Sequence, residues 1–579
     1  VYRFGEYRLD RDRGQLLRGL EPVALTPKAL ETLGILIERP GEIVGRDEIL
    51  ERVWPGAFVE EAVLTQNVYT LRKALGEGDP GGKYIETVPR RGYRFVAEVA
   101  REEAGRSARV RDISSLAVLP FLPLAAGQSA DEALGLGMAD ALIVRLSGLH
   151  GQLGVRPTSA VRTFTSRQRE PVNIAGTLGV EGMVDGTIQR VADQVRVSVQ
   201  LLAAGDGNPV WAATFDTPFT DLFTVQDAIA EQVAAALRLE LGAGRSLARE
   251  EPVDPRAYQA YVTGRYFWNQ RTGASLERAV LHFDRAIELE SEYARAHAGL
   301  ADSYALLPLY GNQRPAEALP KAISAAATAL SINPRLAEAH TTLAYARFLF
   351  EWDWRRAELG FRRAIELNPA YATAHHWLSY YVTARERHEE AIEEIDAALE
   401  LDPVSLIINA DAGLVFYFAR RFEEAEQRFR RTLELDPDFA YAHFGLGMTL
   451  EALDRSGEAI EVTRRAVRLS DGSSAMLGAL GRLLGAAGQT SEAKEVLRQL
   501  LEQSEAQYVQ AGHVAMVHTG LGDAGSALEW WAKAIEERSR FVPFFDVWPV
   551  FDRLRAEPGF GELERRVGLG RGSGQAPRP

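Results

Sequence analysis

Three stretches of this 579-residue chain obey three different spacings of apolar residues. Together they predict a multidomain protein: a small α+β domain, an α/β middle domain and a long all-α array. Before residue 100, short alternating runs flank three amphipathic helical segments. From 115 to 241 strand-like and helix-like patterns mix. Beyond 254, alanines at 357, 391, 425, 459, 493 and 527 recur every 34 residues.

In the first stretch, Tyr2 to Leu9, Gln15 to Arg18 and Val23 to Leu25 have the length and alternation of a small antiparallel sheet. Thr26-Pro27 then supplies an N-cap and a first-turn proline, and Leu30, Leu33 and Ile37 continue at helical spacing. A second short helix is predicted over Arg46 to Val53, followed by a Trp54-Pro55-Gly56-Ala57 loop. The third helix, about Glu60 to Leu75, lines up Leu64, Val68, Leu71 and Leu75 on one face. By elimination Gln66, Thr70 and Lys73, flanked by Thr65, Tyr69 and Arg72, look outward. Amide, hydroxyl and cationic side chains are the types that bond base edges and phosphates in a major groove. Lys83 to Val88 and Gly92 to Val96 read as a hairpin whose tip carries Arg90 and Arg91.

In the middle stretch, Leu116 to Phe121 is a buried-strand run, Leu134 to Leu149 an amphipathic helix, and Val195 to Leu201 a half-wet strand. A further helix is expected from Asp221 to Leu239. In the array, the position twelve residues after each repeat alanine ends a helix and is proline at 334, 369, 403 and 437. Eight stacked helix pairs over 254–566, wound as a right-handed superhelix with a capping segment after Phe541, are predicted. His297, His340, His375 and His443 recur six residues after the helix-ending position. That spreads them along the array, so packing rather than shared metal ligation is expected. The resulting boundaries are 1–100, a linker at 101–113, 114–242, 254–566 and a disordered tail at 567–579.

The composition excludes several classes of function. With no cysteine there is no thiol nucleophile, thiolate zinc site or disulfide. No run of about 18 apolar residues predicts a membrane span, and the Val1-Tyr2-Arg3 start has no leader pattern, so a cytoplasmic location is expected. Neither a dinucleotide fingerprint, a phosphate loop ending in Lys-Ser/Thr nor a His-Glu-x-x-His run occurs, so no enzyme, cofactor or metal is expected. The net charge of -14 is unfavourable for nucleic acid, but residues 254–566 carry 35 Lys+Arg against 46 Asp+Glu and hold -11 of it. Between Thr65 and Ala97 six basic residues face three acidic ones, a local +3.

Four segments, Leu25-Thr26-Pro27-Lys28-Ala29-Leu30, Val53-Trp54-Pro55, Val68 to Leu75 and Thr87 to Phe95, resemble the OmpR/PhoB-type winged-helix DNA-binding domain over residues 2–99. The resemblance implies that Thr65, Gln66, Tyr69, Thr70, Arg72 and Lys73 contact double-stranded DNA from the third helix. It also implies wing contacts from Arg90 and Arg91, and a Trp54 loop lying near DNA or RNA polymerase. Where many relatives carry an arginine-rich helix, this one has Tyr69-Thr70, so base preference is not transferable. Ala364 to Pro369 and Thr432 to Pro437 resemble tetratricopeptide repeats, which bind peptides or proteins in a groove. The Leu116–Phe121, Leu178–Gly186 and Pro209–Trp211 runs resemble a TolB N-terminal-like segment. The module order resembles that of CadC/ToxR-like regulators without their membrane span. The expectation is a one-component bacterial transcriptional regulator, acting as a homo-oligomer on repeated half-sites because one copy makes few phosphate contacts. The alternative is an interaction scaffold whose winged helix serves docking.

Overall fold

The computed structural model describes residues 2–569 apart from 6, 11–14, 19–20, 24, 55–58, 60, 78–82, 90, 98, 102–112, 125–128, 148–152, 163, 166–168, 192–193, 219–221, 238–253 and 311–312. Contacts divide it into two compact units, 1–111 and 112–579.

The first unit opens with antiparallel strands β1 (Tyr2–Phe4), β2 (Tyr7–Asp10), β3 (Gln15–Arg18) and β4 (Glu21–Val23). Helix α1 (Pro27–Glu38) starts as expected, with the Thr26 hydroxyl accepting from the Ala29 amide at 3.3 Å. Strand β5 (Ile43–Gly45), too short to read from the sequence, leads into α2 (Arg46–Val53) and α3 (Glu61–Ala74). The hairpin β6 (Ile85–Val88) and β7 (Gly92–Phe95) follows, and β5 pairs with β7. A last short strand, β8 (Ala100–Arg101), returns to β1. Leu64, Val68, Leu71 and Leu75 of the α3 segment are buried with Leu33, Leu36, Ile49 and Phe95. The β5–β7 pairing demands glycine at 92: φ is +146°, and a Cβ there would lie 1.9 Å from the Val44 carbonyl oxygen.

The second unit begins with a mixed sheet of β9 (Ser115–Val118), β10 (Leu122–Pro123), β11 (Gly154–Val155), β12 (Gly182–Val191), β13 (Gln194–Ala203) and β14 (Pro209–Pro218). Its order is β11-β9-β12-β13-β14, with β10 alongside β12. The β9, β10 and β11 pairings are parallel and the long β12-β13-β14 meander is antiparallel, so the expected α/β domain carries a three-strand antiparallel extension. Four helices accompany the sheet: α4 (Ser129–Ser147), α5 (Thr158–Val161), α6 (Pro171–Leu178) and α7 (Leu222–Ala236).

Sixteen helices from Pro255 to Glu536 then form the eight predicted pairs. The sheet module and the array share one core rather than packing as separate bodies. Gly137 of α4 approaches Val262 so closely that a Cβ would lie 2.3 Å from its Cγ1. A buried chain runs from Arg145, paired with Asp227 at 2.7 Å, through Gln226 to the Tyr258 hydroxyl at 2.6 Å.

The repeat histidines have a shared task. His297, His340, His375 and His443 each place Nε2 about 3 Å from the carbonyl oxygen six residues earlier, that of Ser291, Pro334, Pro369 or Pro437. Where the repeat has Asn409 instead, its amide donates to the Pro403 carbonyl at 3.0 Å. These side chains satisfy turn carbonyls that no helix can pair. In six of the pairs the turn between the helices has its own signature: Trp352, Glu386, Arg420, Asp454, Gly488 and Gly522, 34 residues apart, all have φ between 56° and 79°. Four copies therefore hold a side chain in the left-handed region, at a cost of about 1–2 kcal/mol each.

After Glu536 the chain folds back. Phe544 packs on Phe348, Tyr380 and Phe418, which belong to the first helices of three successive pairs. Arg420 forms a two-pronged ion pair with Asp552, both contacts at 2.7 Å. His513 lies beneath Phe541 and beside the Ser474 hydroxyl. Burial, with the Arg540 charge adding to it, pushes its imidazole down to about 3.

Replacing Glu386 with glycine relieves the backbone without removing a buried group, and should raise the unfolding free energy of the full chain by about 0.5–1 kcal/mol, read as a higher urea midpoint. A fall in the midpoint would contradict the strain argument. For His513, the unfolded chain takes up a proton below about pH 6.5 that the native site refuses until about pH 3. Stability is thus lost as pH falls through that window, by up to about 1.4 kcal/mol per pH unit. Between pH 7 and 5, His513→Gln should show a flatter dependence of unfolding free energy on pH than the wild type.

Candidate nucleic-acid interface

Helix α3 is held from behind by its leucines and valine, and what it presents follows from its helical phase. At about 100° per residue, Gln66 and Lys73 point about 170° from the centre of the buried stripe, and Tyr69 and Thr70 about 130°. Thr65, Gln66 and Lys73 are exposed, and Tyr69 is 61% exposed although aromatic. Thr70 is half-buried, its hydroxyl donating to the Gln66 carbonyl at 2.9 Å. Asn67, on the flank, reaches the Thr32 hydroxyl of α1.

Arg72 corrects the sequence expectation. It lies only about 70° from the buried stripe, and it turns onto the wing rather than outward. Its guanidinium donates to the Ile85 carbonyl at 2.9 Å and the Thr87 hydroxyl at 2.8 Å, and pairs with Glu77 at 3.2 Å. Glu77 in turn accepts from the Tyr84 and Ile85 amides at 2.6 and 2.5 Å. This pair ties α3 to the hairpin. Its signal in the sequence was the helical phase of Arg72, which elimination by hydrophobicity overlooks.

The local +3 is also redistributed. Arg94 and Lys83 both lean on Glu86, at 2.5 and 3.3 Å, and the hydrogen bonds from Arg94 and then Lys83 hold that carboxyl below its usual range. Lys73 and Arg91 are exposed and make no ion pair among the described residues. The Arg91 amide closes the wing turn on the Val88 carbonyl at 3.1 Å. Arg90 lies outside the described residues. Trp54 is half-buried against the domain core, its amide bonded to Leu50, and residues 55–58 of its loop also lie outside the description. Lys28 donates to the Val53 carbonyl at 2.6 Å, tying α1 to the end of α2.

Three helices, a wing sheet and an exposed polar face on the third helix define the class. Residues 20–95 match the family model described as Transcriptional regulatory protein, C terminal, while 353–405 and 410–474 match the tetratricopeptide repeat model. The chain thus joins a winged-helix DNA-binding domain of the transcriptional regulatory type to a tetratricopeptide array.

Among its relatives, "Putative adenylate cyclase 3" of Rhizobium meliloti is 30% identical over 237 residues, 40% of each chain. "Transcriptional regulator HilA" of Salmonella typhimurium is 26% identical over 418 residues, 69% of this chain and 70% of the relative. "Transcriptional activator CadC" of Escherichia coli is 34% identical over 100 residues, 17% of this chain and 20% of the relative. The chain therefore spans less than half the length of the first and third of these. No helix among the described residues is long and apolar enough to cross a membrane.

Arg72→Ala should loosen the wing: hydrogen exchange across 85–95 accelerates, and the first unit loses about 1.5 kcal/mol, as for a charged hydrogen bond. Lys73→Ala should leave both unchanged. Equal protection in the two variants would refute the anchoring role of Arg72.

Proposed function

We propose that this chain regulates transcription without catalysing a reaction, binding promoter DNA through α3 and the wing while the 112–579 unit receives the signal. The observation that carries the reading is the exposed face of Thr65, Gln66, Tyr69, Thr70 and Lys73, set beside a wing tip bearing Arg91 on one rigid core. In this reading Gln66 and Tyr69 contact base edges, Lys73, Arg90 and Arg91 contact phosphates, and Arg72 positions rather than touches. Residues 1–100 act as reader, 114–242 as adaptor and 254–566 as receiver of a protein, peptide or ligand. Trp54 sits at the loop expected to approach DNA or RNA polymerase. With so few free cations, one copy binds weakly, so homo-oligomers on repeated half-sites are proposed.

Selection of bound duplexes from a random pool by the full chain tests the reading. An enriched, repeated motif is expected. On that motif Lys73→Ala should weaken binding evenly and reduce the salt slope by about 1, whereas Gln66→Ala should relax preference at one position. A pool that emerges without enrichment would refute the regulator reading.

A further inference from the structure

The array was expected to offer a groove to a peptide, yet part of its first-helix side is roofed by the chain itself. What remains under the roof is a cavity of about 420 Å³, the size of a small-molecule site. Its walls come from three sources: Ser159 of the sheet module, the first helices of successive repeat pairs, and Arg540, Phe541 and Phe544 of the returning segment. Ser159 reaches it through a hydrogen bond to Asp402.

The lining is aromatic and carries the charged side chains of Arg271, Asp402, Asp411 and Arg540. Trp377, stacked on Tyr345 at 4.1 Å, faces the cavity together with Phe444 and Tyr441. Arg540 donates to the Tyr441 hydroxyl at 3.1 Å and makes no ion pair with a carboxylate among the described residues. Asp411 is 2% exposed; its Oδ2 meets His376 Nε2 at 2.7 Å, and its Oδ1 has no hydrogen-bond partner among the described residues. A guanidinium at an aromatic wall with no carboxylate partner of its own among the described residues favours an anionic occupant. That need is met by a molecule with an acidic group for Arg540 and a planar ring for the aromatic walls.

We propose that this cavity binds a small aromatic anion. The proposal deepens the regulatory reading by naming its effector class, and rests on it only for that role. Because the three walls belong to the sheet module, the array and the C-terminal segment, an occupant would tie the three together.

The test uses 8-anilinonaphthalene-1-sulfonate, which has both features, and N-phenyl-1-naphthylamine, the same rings without the sulfonate. Both are titrated by fluorescence into the full chain without DNA. One saturable site is expected, at least tenfold tighter for the sulfonate. Arg540→Met should bring the two dyes within about twofold of each other. Ala475→Trp, which plugs the cavity from a half-buried wall position, should abolish the site while leaving the thermal midpoint near that of wild type.

Equal affinities of wild type for the two dyes, several weak sites only, or an Ala475→Trp variant that still binds the sulfonate within threefold would each overturn the proposal. Should Arg540→Met fail to fold, the wild-type comparison and Ala475→Trp decide. Selective dye binding without sequence-selective DNA binding overturns the regulator reading alone, and the reverse overturns the cavity alone.

Discussion

No helix pair between Pro255 and Glu536 can bury its own apolar face, and from this constraint most of the second unit follows. Each pair completes its core with the next, so buried residues from Ile113 in the sheet module to Leu569 form one continuous cluster. An open stack would leave an apolar face at either end. At the start the face is covered by α4, through the close approach of Gly137 to Val262 and the buried Arg145–Asp227–Gln226 chain. At the finish it is covered by an aromatic knot in which Trp531, Phe545, Trp548 and Phe551 are buried to 2% exposure or less. The ends of the array thus determine its neighbours, and the returning chain that seals the last pair also roofs the first-helix side.

The first unit solves a different problem, the rigid presentation of a polar helix face. Burial of Leu64, Val68, Leu71 and Leu75 fixes the roll of α3, while Arg72 and Glu77 bond β6 to it. Glycine at 92 lets β7 lie against β5 with no side chain between them. Positioning uses up charge: of the basic residues that make this stretch +3, Arg72, Lys83 and Arg94 are engaged with carboxylates of their own domain.

Much of this was legible because it depends on local rules. The Thr26-Pro27 start, the phase of α3, the wing hairpin, the 34-residue period and the eight pairs all rest on capping, helical spacing or repetition, which act within a few residues. The role of Arg72 was missed because hydrophobicity sorts residues into two faces, while a guanidinium on the border can reach a strand more than ten residues away. The histidine positions were legible as repeats but not their purpose, since the turn carbonyls they bond become neighbours only once the chain folds back. Strand β5, three residues long, exists only because β7 is there to pair with it.

The sequence by itself determined the modules, their order and the face of α3 that looks outward, since spacing and residue type fix which side of an element is buried. Only the tertiary structure decided three things: the sheet module and array share a core, Arg72 serves the wing, and the first-helix side holds an aromatic-walled cavity. Each depends on contacts between residues from 13 to about 245 positions apart, from Arg72 with Ile85 to the sheet module's bonds with the 400–402 turn. Partners that far apart leave no periodic trace in the chain.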